Sequence, residues 1–238
     1  MKAIWNVVLA LSALIASTLA LQDPVTSLAA PIQDASRDSA QQGPSSSGVA
    51  RAIWEPPNSD FPEALPKPTM SKEIVSKITV SGVPVTLEDS PISDIAAHFG
   101  ATIGHKGDAG DSVQWVCFRG ADPAGDWVLW LESGEINGGT VGSFQWRRID
   151  SAAVLDQRCL PLSGAAVELQ NQLRLGLAQA GVLKALGPPT IQRVDSAVYV
   201  HAHAESIHGE PYTSLNVVVV IFRRGQVQAI EVSKTTSS

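Results

Sequence analysis

Two histidines one residue apart, His201-Ala-His203, followed by Glu205, His208 and Glu210, offer the donor types of a zinc or copper site. On a strand, positions i and i+2 project to the same face, so both imidazoles point together. The same pattern also describes a polar solvent-facing row alternating with Val198, Val200 and Ala202. Spacing alone does not make three ligands converge, so both readings stay open. His105 with Asp108 and Asp111 lies in a glycine-rich loop but lacks the regular acidic spacing of a calcium loop, and is expected to be solvated.

A second candidate for chemistry is the loop Glu132-Ser-Gly-Glu-Ile-Asn-Gly-Gly139. Glu132 and Glu135 are the residue type of an acid/base pair for hydrolysis, which needs two carboxylates at a fixed separation. A loop does not fix that separation. The segment reads equally as a wide connection between strands, or as a binding loop on a rigid scaffold. Phosphate-binding loops, the G-x-G-x-x-G and G-x-S-x-G patterns and H-E-x-x-H do not occur in the sequence. No cofactor is expected.

Trp115, Trp127, Trp130 and Trp146 crowd into one stretch. Aromatic side chains bury large areas, so packing is their plain role; a stacking platform for a partner is the sharper one. The sharper reading requires at least one of the four to be exposed. Cys117 and Cys159 are the only cysteines, and a pair of them in an exported chain reads as a disulfide. Closing a loop of 42 residues is worth about 4 kcal/mol in the chain-entropy model.

Export is expected from the N-terminus. Lys2, an apolar run from Ile4 to Leu19 and Thr18-Leu19-Ala20 make a signal peptide over residues 1–20. Residues 21–70 hold eight of the fifteen prolines and the aperiodic stretch Gln41–Gly48, and read as a disordered tether. Ile53, Trp54 and Phe61 are its apolar exceptions, able to dock on the folded part. No later apolar run is long enough to span a bilayer.

The folded part is expected in two units, residues 71–163 and 164–238. Ile78–Val80 and Val83–Leu87 alternate as strands. Ser90 and Pro91 open a helix with an apolar stripe of Ile92, Ile95, Ala96 and Phe99, closed by Gly100. Strands are predicted at Val113–Phe118, Trp127–Leu131, Val141–Ile149 and Val154–Leu160. The order then recurs: a short strand Leu173–Leu175, a helix Leu177–Leu186, and strands at Val198–Ala202, Leu215–Phe222 and Gln226–Val232. The fold class predicted is α+β, as two tandem helix-plus-antiparallel-sheet units.

The segment Leu175-Gly-Leu-Ala-Gln-Ala-Gly-Val-Leu-Lys-Ala-Leu-Gly-Pro-Pro189 resembles the opening of beta-lactamase-inhibitor-protein-like modules, which include the small lipoprotein of outer-membrane assembly. The resemblance covers Leu173 to Val232, and reaches Val85 to Ile149 through the repeat. It implies a tandem exported domain that presents a surface to other proteins. It carries over no contact residues, and this chain lacks the lipid-bearing cysteine of the assembly lipoproteins.

Charged residues are 17% of the chain and its net charge is −6, so it has no basic patch for nucleic acid. Two functions follow as expectations. One is a non-catalytic binding module, periplasmic or secreted, whose partner is another envelope protein. The other is a metal-dependent or hydrolytic envelope enzyme built on His201 and His203, or on Glu132 and Glu135.

Overall fold

A computed structural model describes residues 52–237, apart from 109, 151–152 and 164–166. The expected signal peptide, and the expected tether as far as residue 51, lie outside the described residues.

The first elements follow their local sequence. Strands β1 (Lys77–Val80) and β2 (Val83–Thr86) form a hairpin from Lys77↔Thr86 to Val80↔Val83. Ser81 and Gly82 both take positive φ, 46° and 84°, which suits the two-residue turn whose twist matches the strands. Helix α1 (Ile92–Phe99) buries Ile92, Ile95 and Ala96 and ends at Gly100 in the left-handed region. Ser90 does not cap it. Pro91 holds the cap position, and the Ser90 hydroxyl accepts the Thr86 amide at 2.9 Å, closing the preceding turn.

The remaining strands are β3 (Gly104–Lys106), β4 (Val113–Asp122), β5 (Gly125–Gly134), β6 (Ser143–Arg148), β7 (Leu160–Pro161), β8 (Val167–Leu169), β9 (Ile191–Gln192), β10 (Ser196–Ile207), β11 (Glu210–Arg223) and β12 (Gln226–Ser237). Helix α2 (Gln179–Leu186) precedes β9. One sheet runs in the order β3-β4-β5-β6-β12-β11-β10-β9, with β7 parallel to β4 as its ninth strand. A small sheet is ordered β2-β1-β8.

This corrects the expected fold class. The protein is mostly β, with two eight-residue α-helices among the described residues, and it is not two helix-plus-sheet units. The chain passes twice through helix, short strand and three long strands, but the strands do not close into separate sheets. β6 pairs with β12 from Ser143↔Ser233 to Arg147↔Ala229, and β8 pairs with β1. Two separate units would leave β6 and β12 as unpaired edges; joining them satisfies both rows of backbone groups. Two predicted strands are also displaced. Leu173–Leu175 is irregular, following a 3-10 turn at Gln170–Gln172, and the strand lies upstream as β8. Of Val154–Leu160, only Leu160 is in a strand, while Leu155 makes an isolated bridge to Ile53.

Both faces of the large sheet are covered. On one face Val116, Phe118, Leu129, Leu131, Phe144, Val218, Ile230 and Val232 pack with α1, α2 and the small sheet. The other face has two apolar patches, one of Trp115, Cys117, Val128 and Trp130, the other of Val198, Val200, Val217 and Val219. An extended strap, residues 52–61, crosses them. Ile53 and Trp54 join the first patch and Phe61 the second. Of the stretch expected to be a tether, residues 52–70 are thus described, and residues 52–61 with Thr69 and Met70 lie against the domain.

Candidate functional site

The four tryptophans are all enclosed. Trp115, Trp127, Trp130 and Trp146 are 2%, 3%, 2% and 5% exposed. Trp127 and Trp146 meet edge to face at 6.1 Å in the helix-side core. Trp115 and Trp130 sit beneath the strap, and a Cβ on Gly104 would stand 2.2 Å from the Trp115 ring. An indole covered on both sides has no face to offer, so the aromatic-platform reading is withdrawn and only the loops remain from it.

The histidine pair is split by burial. His201 is buried with Nδ1 2.9 Å from the Met70 carbonyl, while His203 is exposed, its ring 5.3 Å from that of His201. Among the described residues no group of three or more His, Cys, Asp or Glu is placed to hold a metal ion.

Glu132 and Glu135 are engaged with different neighbours. Glu135 opens a one-turn 3-10 helix, Glu135–Asn137, and its carboxylate accepts the Gly110 amide of the adjacent loop. Glu132 lies at the end of β5, level with Trp115 and Ser143, and its Oε1 is out of solvent with no hydrogen-bond partner. Burial pushes its carboxyl up to about 7; the neighbouring Gln145 amide and the Arg147 charge offset this only in part.

A polar seam emerges between the two apolar patches. Arg147 on β6 pairs with Glu231 on β12, whose side chain is 0% exposed, and with Asp60 of the strap at 2.8 Å, 51% exposed. The Asp60 amide donates to the other Glu231 oxygen at 2.8 Å. Gln145 donates to the Pro57 carbonyl at 3.0 Å. A cavity of about 370 Å³ opens beside it, lined by Ile53, Trp54, Glu55, Pro57, Trp130 and Arg147. Glu132, whose carboxyl burial raises, is not part of that lining, and the seam's bonds to Asp60 and Pro57 fasten the strap to the sheet.

Sequence reading missed Asp60, Gln145, Arg147 and Glu231. A signal existed: Glu231 stands alone between Ile230 and Val232 in an apolar strand, and a carboxylate there demands a partner. It missed Arg158 as well, whose guanidinium lies 4.4 Å from the Trp54 ring centroid.

Cys117 and Cys159 form the expected disulfide, fastening β4 to the segment entering β7. A disulfide is compatible with a protein outside the cytoplasm. Among the described residues no helix is long and apolar enough to cross a membrane. Compared with known proteins, the chain matches no family model, no curated protein and no solved structure.

Proposed function

We propose that the protein is an exported, non-catalytic binding module of the periplasm or extracellular space, which meets another envelope protein through the loop between β5 and β6. The observation that carries this reading is Ile136. It is 78% exposed, in the middle of a loop whose frame is fixed on every side. The Asn137 side chain accepts the Gly134 amide at 3.2 Å, and Thr140 Oγ1 donates to the Asn137 carbonyl at 2.7 Å. Glu135 holds the neighbouring loop through Gly110. Gly142 has no side chain where the Asn137 amide packs; a Cβ there would lie 2.3 Å from it. A large apolar side chain held out on a rigid loop loses little entropy on docking, the condition for an interface anchor. The disulfide supports the exported setting.

Site-specific photo-crosslinking in the envelope of the host tests this. A photo-reactive residue at position 136 is expected to give one discrete adduct, and the same residue at exposed Val194, across the sheet, none. Equal labelling at both positions overturns the loop reading. Stoichiometric zinc or copper in the purified protein, with an activity lost on changing His201 or Glu135, overturns the non-catalytic one.

A further inference from the structure

The Gln145 side chain grips the strap with one end of its amide and leaves the other end unanswered. Its Nε2 donates to the Pro57 carbonyl at 3.0 Å, while its Oε1 is buried without a hydrogen-bond partner. Glu132 supplies a second oxygen of that kind, its own Oε1. β5 sets Glu132 opposite Ser143 of β6, so Gln145 is its diagonal neighbour on the strap side of the sheet, within reach of a long side chain.

One proton satisfies both oxygens. A carboxylate beside an amide oxygen sets two acceptors against each other, whereas a carboxylic acid donates its O–H to the amide oxygen and completes the pair. We infer that Glu132 is a proton-operated latch for the strap: its O–H fixes Gln145 with the NH2 turned to Pro57, and loss of the proton to solvent turns that NH2 to the carboxylate and releases Pro57. The latch does not depend on the Ile136 loop.

The charges around Glu132 favour the neutral acid while the strap is shut. Across β4 it meets Trp115, and the same face of that strand carries no charged residue nearer than Arg119. On β6 it faces Arg147, but Asp60 of the strap and Glu231 of β12 already hold that guanidinium. Lys106 of β3 is held by Glu55 of the strap at 3.4 Å. Glu135, three residues further on, accepts the Gly110 amide. Burial accordingly raises the Glu132 carboxyl to about 7.

The ionised form has a second donor at hand. Arg147 Nε is buried without a partner, and the carboxylate can take its N–H. Doing so draws the guanidinium from Asp60, so the Pro57 and Asp60 attachments weaken together. Trp54 stays held by Trp130 and Arg158. The strap then lifts beyond Trp54, and the cavity lined by Glu55, Pro57 and Arg147 opens along it.

Amide exchange in the full chain, corrected for the intrinsic rate at each pH, tests the latch. From about pH 6 to about pH 8 the Asp60 amide, which donates to Glu231, is expected to lose protection several-fold. The Ile53 amide, which donates to the Val154 carbonyl, is expected to keep its protection. Equal protection of Asp60 at both pH values overturns the proposal. So does a loss that Ile53 shares, since a general loosening moves both. Glu132→Gln offers an NH2 to Gln145 Oε1 at every pH and should abolish the change; a change that survives in this variant belongs to another group and overturns the proposal. Nuclear magnetic resonance of the unaltered chain is the independent measurement. The Glu132 carboxyl carbon and the Gln145 side-chain NH2 should titrate together, and a Gln145 signal that stays still overturns the latch.

Discussion

The Trp130 indole donates to the main-chain carbonyl of Trp54 at 3.0 Å, across 76 residues of sequence. That bond ties the strap to the middle of the sheet, and it moves the N-terminal boundary of the ordered domain. The sequence places that boundary near Met70. The contacts of Ile53, Trp54 and Asp60 place residues 52–61 inside the domain. Limited proteolysis of the native protein should leave residues 52–61 within the resistant fragment, and a deletion of residues 52–66 should lower the thermal midpoint.

Trp54→Ala removes a buried indole from between Arg158, Trp115 and Trp130. The expected cost is about 3 to 5 kcal/mol, the usual range for a buried aromatic cut to alanine. Chemical denaturation measures it. A loss below about 1 kcal/mol would mean that the strap contributes little to the fold.

Glu132 makes the domain pH-sensitive in the direction opposite to most carboxylates. Burial raises its carboxyl from 4.5 to about 7 in the folded chain. Below the unfolded value both states hold the proton, and the contribution to stability is fully present. As pH rises towards 7 the unfolded chain releases its proton first, so stability falls. At about 1.4 kcal/mol per unit, the loss above pH 7 reaches at most about 3 kcal/mol. Glu132→Gln should therefore stabilise the protein by about 1 to 3 kcal/mol in mildly alkaline buffer and change little near pH 5. Thermal midpoints measured across that range check the slope.

The two partners of Arg147 should respond unequally. Arg147→Met leaves Glu231 wholly buried without its cation, at an expected cost of about 3 to 5 kcal/mol. Asp60→Asn touches a half-exposed group and should cost below about 1 kcal/mol. Denaturation of the two variants side by side separates a buried charge from a solvated one. Adding Glu231→Leu to Arg147→Met should recover much of the loss.

Cys159→Ser opens the loop that joins β4 to the β7 segment. A cost of about 2 to 4 kcal/mol is expected, the same loss that reduction of the native protein should produce. Peptide mapping without reductant should recover Cys117 and Cys159 in one linked species.

What the sequence discloses is what short-range physics decides. Helix α1 is legible because Ile92, Ile95 and Ala96 fall on one stripe before a left-handed Gly100. The β1–β2 hairpin is legible from its Ser81-Gly82 turn. The union of β6 with β12, and of β1 with β8, leaves no local trace, because each joins residues that are remote in the chain. Covering both sheet faces also erases alternation: Val217–Val220 is apolar throughout, with Val217 and Val219 under the strap and Val218 and Val220 under the helices. The strap looks unstructured because few of its residues are apolar and its order comes from the seat. The seam is hidden for the same reason, with Arg147 and Glu231 separated by 84 residues.

The order of synthesis gives the strap one more property. Residues 52–61 emerge before every strand they cover, and their partners arrive late. The Asp60 amide binds a carboxylate 171 residues further on, in the final strand. Asp60 and Phe61 must therefore remain undocked until the last three strands are made, whereas the seat of Trp54 is complete once residue 159 has emerged. The other end of the strap can close earlier, on the Cys159 segment, where the Asp156 amide donates to the Ile53 carbonyl. The strap therefore fastens in two stages, and a chain truncated before β12 would carry its Asp60 end unfastened while Trp54 still finds its seat.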